Sequence, residues 1–372
     1  MQEWKVYEFK ELVNLSKEKY NPKSETMNLP CIELEHIESE TGRLLGYTNS
    51  IEQQSIKNKF KANDILYGKL RPYLRKFYFP NFEGVCSSEI WVLQSIEEKI
   101  HNKYLYYLIQ TNKFNEHANK SSGTKMPRAD WNYISEITFP IPPIKEQQKI
   151  ASILSTWDKA IELKEKLIEQ KKQQKKGLMQ KLLTGEVRLP GFDGEWKKVK
   201  LAKVVRKTKG KAVEYIEGGK FPAIDMDYLE SGTFKNYSND ATVFAEKNDV
   251  LLLWDGSRAG MAFTGVEGAV GSTFVKLECK SIHNIFLQKH FEMNEQRIQR
   301  LREGSGIPHV PKDFLDYYKV KMPSMEEQKA IAYVLNNMDR DLELLWKEVA
   351  YLKEQKQGLM QLLLTGKVRV QV

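Results

Sequence analysis

The chain has 372 residues, 41% hydrophobic and 29% charged, with a formal net charge of +9. This composition suits two globular units with sizeable cores and excludes a disordered chain, and no run of about 18 apolar residues exists, so no transmembrane helix is expected. The N-terminus lacks the apolar stretch of a signal peptide, so a cytoplasmic protein is expected. The positive balance points to a polyanion such as nucleic acid, although basic surfaces also serve solubility. Cys31, Cys86 and Cys279 form no CxxC and have no histidine at metal-ligand spacing; they read as reduced, packed residues.

In chain order, Glu3-Trp4-Lys5 opens a first unit, with Trp4 expected as a core anchor. Asn63-Asp64-Ile65-Leu66 precedes a strand-like run and a basic turn, Ile90-Trp91-Val92-Leu93 predicts a strand, and residues 102–110 predict a helix. Pro142-Pro143 fixes an extended entry to a long helix that carries Glu146 in its first turn and stops at Thr184-Gly185. A second unit then opens at Glu195-Trp196-Lys197. It holds Asn248-Asp249-Val250-Leu251, a strand at Thr273-Phe274-Val275-Lys276-Leu277 and a helical pattern over 285–302, and a second long helix runs from beyond Pro323 to Thr365-Gly366. Each long helix is predicted to span about 38 residues, roughly 57 Å.

The order of elements is a repeat. Pro142, Glu146, Gln147, Ile150, Ala151, Leu154 and Asp158 recur as Pro323, Glu327, Gln328, Ile331, Ala332, Leu335 and Asp339, an offset of 181. Gly177-Leu178-Met179-Gln180 and Leu183-Thr184-Gly185 return as Gly358-Leu359-Met360-Gln361 and Leu364-Thr365-Gly366, and Val187-Arg188 returns as Val368-Arg369. Such a period exceeds the roughly 20–50 residues of a solenoid unit, so two copies of a domain-plus-helix unit are expected. The segment that ends the chain matches the one that internally leads into Glu195-Trp196-Lys197, so the two termini are expected to lie near each other.

A heptad seam runs along the second helix through Ile331, Met338, Leu345, Leu352 and Leu359, with Leu335, Leu342, Val349, Lys356 and Leu363 beside it. In the first helix the same positions are Ile150, Trp157, Lys164, Lys171 and Leu178, with Leu154, Ile161, Ile168, Lys175 and Leu182. The two helices are expected to pack on each other, antiparallel if a two-fold axis crosses them. The run Lys171-Lys172-Gln173-Gln174-Lys175-Lys176 reads either as a solvated face or as a contact with phosphate or a partner.

With PIPPIKEQQKIASIL and KGLMQKLLTGEVRLPGF in the first half, and MPSMEEQKAIAYVL and QGLMQLLLTGKVRV in the second, the chain resembles type I restriction-modification specificity subunits over essentially its whole length. The resemblance implies an α+β fold with two mixed α/β target-recognition domains in pseudo-two-fold arrangement, separated by two long helices forming an antiparallel coiled coil. It divides the chain into a first recognition domain at 1–142, a central helical spacer at 143–188, a second recognition domain at 189–323 and a C-terminal helical spacer at 324–372. It further implies double-stranded DNA as ligand, read as a bipartite target. Two modification (methyltransferase) subunits would dock, and restriction motor-nuclease subunits would join. S-adenosylmethionine, ATP and Mg are expected on those partners, with no cofactor in this chain.

Catalytic signatures are missing: there is no GxxxxGK[ST], no GxGxxG opening a helix, no HExxH, and IPPI at Pro142-Pro143 lacks the flanking residues of an amino-methyltransferase site. DNA reading needs donors at base edges and cations at phosphates. Lys69, Arg71, Tyr73, Arg75 and Lys76 offer cations interleaved with an aromatic, or else form a solvated strand edge. Ser122, Thr124, Lys125 and Arg128 lie in a small-residue loop that permits close backbone approach. Ser257, Arg258, Arg302, Ser305, His309 and Lys312 are the candidates in the second unit, where Trp254-Asp255-Gly256-Ser257-Arg258 departs from the Lys69 and Arg71 pattern. The competing reading is a coiled-coil protein-binding scaffold with incidental basic charge.

Overall fold

The computed structural model describes residues 3–120, 126–304 and 306–371. The chain divides into two compact units, Met1–Lys164 with Glu348–Val372, and Glu165–Lys347. Both boundaries fall inside long helices, so each unit keeps part of both helices with its globular body. The helices are α1 (Asn102–Leu108), α2 (Asn112–Asn119), α3 (Trp131–Ser135), α4 (Ile144–Thr184), α5 (Met226–Ser231), α6 (Asn284–Arg300), α7 (Phe314–Tyr317) and α8 (Met325–Leu364). None of the described helices is long and apolar enough to cross a membrane.

In the first unit, strand Lys5–Glu8 pairs antiparallel with Thr138–Ile141 and delivers the chain to α4. A four-stranded antiparallel sheet orders Val13–Leu15, Ile90–Ser95, Ile65–Gly68 and Phe77–Tyr78. A five-stranded sheet completes the unit and holds one parallel pair, Pro30–Ile32 beside Gly84–Cys86. The second unit repeats this plan. Lys197–Lys200 pairs with Lys319–Met322, and a four-stranded antiparallel sheet orders Val205–Lys209, Phe274–Cys279, Val250–Leu253 and Ala262–Thr264. Its third sheet has the parallel pair Phe221–Ile224 and Gly268–Val270. Each central strand opens on an aspartate turn: Asp64 Oδ2 accepts from the Lys61 N–H at 2.8 Å and Asp249 Oδ2 from Glu246 N–H at 2.9 Å. The recurring Asn-Asp pair is therefore turn chemistry.

The long helices are 41 and 40 residues. Both end at a glycine with positive φ, Gly185 at 75° and Gly366 at 74°. Beyond each, an N–H bonds back into the last turn, Val187 to the Lys181 carbonyl and Val368 to that of Leu362. Within the first unit, Asp158 pairs with Lys356 and Lys164 with Glu348. Within the second, Lys172 lies over the Trp346 ring and Lys175 pairs with Asp339. Ascending positions of α4 meet descending positions of α8, so the pair is an antiparallel coiled coil. Ile150, Leu154, Ile161, Ile168 and Leu182 are buried in α4, and Ile331, Leu335, Val349 and Leu363 in α8. Each contributes about 1.5–3 kcal/mol by leaving water.

The repeated residues hold each globular body to its helices. Gln147 and Gln328, both buried, donate to the Pro142 and Pro323 carbonyls at 2.8 and 3.0 Å, and accept from His101 and His283 N–H. Glu146 and Glu327, each 2% exposed, receive bidentate pairs from Arg369 and Arg188 at 2.6 and 2.7 Å. Those guanidiniums lie over the Trp4 and Trp196 rings, which also pack on Gly366 and Gly185. In the first unit this joins both ends of the chain, as expected from the matching terminal segments.

Candidate nucleic-acid interface

Residues Lys69 to Lys76 form a turn rather than a strand edge. Arg71 and Arg75 both adopt left-handed conformations, at φ 51° and 48°, on either side of the short 3-10 turn Pro72–Leu74. Arg71 N–H donates to the Pro127 carbonyl and Ala129 N–H to that of Lys69, each at 2.8 Å, so this turn is paired with the segment that follows the second candidate loop. The sequence had offered the two loops separately; the fold joins them.

The second unit builds the same frame. Gly256 N–H donates to the Pro308 carbonyl at 2.8 Å and Val310 N–H to that of Trp254 at 2.9 Å. Lys69 therefore corresponds to Trp254, Leu70 to Asp255, Arg71 to Gly256 and Arg128 to His309. Gly256 has φ 108°, so the positive-φ position is kept while its side chain is not. The departure noted at Trp254-Asp255-Gly256 is thus a change of side chains on a retained backbone.

Side-chain engagement sorts the candidates. Arg71 and Tyr73 are exposed, and the Arg71 guanidinium makes no hydrogen bond or ion pair with the described residues. Arg128 is clamped by Glu89 at 3.0 and 3.1 Å, which raises its pKa, and Lys69 stands 4.0 Å from the same carboxylate. Arg75 donates to the Gln110 carbonyl and Lys76 to that of Leu34, at 2.8 and 2.7 Å, so both brace the turn. In the second unit Arg302 holds the Gln299 and Ser257 carbonyls, and Arg258 lies 3.7 Å from Glu230. Ser257 and Lys312 are exposed, and His309 pairs as a bridge with both Asp255 and Glu303. Ser122, Thr124, Lys125 and Ser305 lie outside the described residues.

Glu89, Lys207 and Lys209 escaped the sequence reading. Lys207 lies 4.6 Å over the Trp254 ring and donates to the Lys312 carbonyl at 3.1 Å, and Lys209 grips Asp255 at 2.5 Å. The signal for the two lysines is the dense basic run that contains them, whereas nothing in the sequence around Glu89 marks it. The lysine run on α4 resolves differently at one position: Lys175, 12% exposed, sits in the seam among Glu292, Asp339 and the neighbouring Lys289. It is neither solvated nor open to phosphate.

Among the described residues no group of three or more His, Cys, Asp or Glu is placed to hold a metal ion. Burial pushes the Cys31 thiol up to about 11 and that of Cys279 up to about 12, and raises Cys86 as well, so none is a ready thiolate at neutral pH.

The type I restriction modification DNA specificity domain family matches residues 1–173 and 193–353. The type I restriction enzyme MjaVIII specificity subunit of Methanocaldococcus jannaschii is 32% identical over 46% of this chain and 42% of its own length. A putative type I restriction enzyme MjaX specificity subunit from the same organism is 25% identical over 99% of this chain and 94% of its own. Among solved structures, a chain from a study of assembly and conformational transition in a type I R-M system shares the fold at TM-score 0.66 and 19% identity, covering 98% of both chains. With two frames of one backbone design, and with the family matching two segments that together cover most of its length, this chain belongs to the type I restriction-modification DNA specificity family.

Proposed function

We propose that the chain is the sequence-specific DNA-binding subunit of a type I restriction-modification assembly, each unit reading one half of a bipartite duplex target. The observation that supports this most is the pair of loop frames, which share hydrogen bonds and a positive-φ position but carry different side chains. Two readers of unlike half-sites need that combination: a fixed backbone for docking and variable donors for base edges. In this reading the helix pair docks two methyltransferase subunits, and motor-nuclease subunits join them. The chain supplies no catalytic group; S-adenosylmethionine, ATP and Mg act on the partners, in the cytoplasm where the DNA lies.

Footprinting of the chain with its methyltransferase partner tests the proposal. Two short protected base clusters separated by an unread spacer are expected, on the order of one helical turn between centres. Uniform protection of any duplex would favour the scaffold reading, in which the basic charge is incidental.

A further inference from the structure

The second unit carries a charge feature that the first lacks at the same place in the same fold. Of the fifteen residues 197–211, eight are lysine or arginine and none is acidic. The corresponding stretch of the first unit, 5–19, holds four lysines and three glutamates. All eight cations are exposed.

Four lysines are arranged against their own electrostatics. In the two-stranded sheet Lys198 stands directly opposite Lys321, and Lys200 opposite Lys319. Directly opposed residues and residues two apart share a face, so these four side chains form one array, about 5 Å apart across the strands and about 7 Å along them. Val199 and Val320 occupy the other face and pack into the core. Like charges directly opposite destabilise a sheet. Lys321 lies 5.7 Å over the Trp196 ring, and none of the four has an acidic partner among the described residues. The first unit places Val6 opposite Pro140 and Glu8 opposite Thr138 at these positions, with no such array.

The basic run is also continuous with the reading frame. It passes from this sheet through the 3-10 turn Leu201–Lys203 into the edge strand Val205–Lys209. There Lys207 and Lys209 reach the Trp254-Asp255 side of the frame.

We propose that the Lys198, Lys200, Lys319 and Lys321 face, with the run that leads from it to the reading frame, is a sequence-independent binding track for DNA backbone phosphates. This rests on the DNA-reading function proposed above. The track makes the second unit the main contributor of salt-dependent affinity, since the first unit has no such array at the matching strand positions. A polyanion is the occupant that relieves the apposed lysines, and a phosphate backbone supplies charge in a regular row along the strands' direction.

The full-length chain is tested with the four lysines replaced together by glutamine (K198Q, K200Q, K319Q, K321Q). A control replaces Lys17, Lys23, Lys235 and Lys247, exposed and outside both loop frames and the long helices, in the same way, so both variants lose equal net charge. Binding to target and to random duplex is titrated over about 50–200 mM salt; the slope of log affinity against log salt should become shallower by about 3 to 4 in the first variant. The control should shift it by less than 1, and preference for target over random duplex should be unchanged in both. The melting temperature of the first variant should hold or rise, since repulsion is removed. An unchanged slope, or an equal change in the control, would overturn the track. Loss of methyltransferase-subunit binding with the DNA slope intact would assign the face to an acidic protein surface and overturn it too. If the wild-type chain showed no sequence preference, the reading function would fail, while the slope comparison would still decide the track.

Discussion

The two units solve one junction with different chemistry. In the first, Asp158 accepts from the Tyr107 hydroxyl at 2.6 Å and pairs with Lys356 at 2.5 Å, and the next helical position in α1 is the buried Leu108. In the second, the matching Asp339 meets Lys289 and Lys175, Glu292 joins them, and His290 fills the place of Leu108. The aspartate is common, but its surroundings pass from one lysine and a phenol to two lysines and a second carboxylate. Repetition therefore marks the residues that hold bodies to helices, and divergence begins one contact away.

The glutamates test what is common. Glu146→Ala and Glu327→Ala each remove a buried carboxylate that holds a guanidinium in a bidentate pair, and each should lower the urea-unfolding midpoint by a similar amount. Equal losses support a shared junction; a loss in only one would break the equivalence.

The aspartates test what differs. Asp158→Asn leaves one lysine without its carboxylate, at a cost of about 1 kcal/mol, whereas Asp339→Asn leaves two lysines sharing Glu292 and should cost about 2–3 kcal/mol. Identical values in chemical denaturation would contradict the account of the second junction.

The histidine gives a pH handle. Burial, with a smaller push from Arg297, lowers His290 to about 4 from an ordinary value of 6.5. It faces the Tyr318 hydroxyl at 3.2 Å and stays neutral in the folded chain. Below 6.5 the unfolded chain takes up the proton first, so stability present above that pH is lost as pH falls towards 4, by about 1.4 kcal/mol per pH unit. Melting temperature followed from pH 7 to 4.5 should fall less steeply in His290→Leu, which copies the first unit. Parallel curves would remove His290 as the cause.

Much of the scaffold was legible in the sequence because it is local: Pro142-Pro143 before α4, glycine stops at Gly185 and Gly366, and a seven-residue seam. The repeat made the antiparallel sense conditional on a two-fold axis crossing the helices, and the pairs Asp158–Lys356 and Lys175–Asp339 supply it. The reading frame was only half legible. Lys69, Arg71 and Arg128 could be chosen by residue type, but their joining depends on hydrogen bonds between segments more than fifty residues apart. For the same reason Arg75 and Lys76 read as available cations although they brace carbonyls, and the sequence leaves Lys175 open between a solvated face and a phosphate or partner contact although its partners come from α6 and α8. Residue type predicts charge; only tertiary pairing says whether the charge is already used.

The central claim is that one backbone frame, furnished twice with different side chains, reads two half-sites independently. Selection from a randomised duplex pool by the chain with its methyltransferase partner, for wild type, Arg71→Ala and His309→Ala, tests it most directly. Each substitution should relax base preference in one half-site only, a different half for each, with about 1–3 kcal/mol lost at the affected position. Relaxation of both halves by either substitution, or of neither by both, would contradict it.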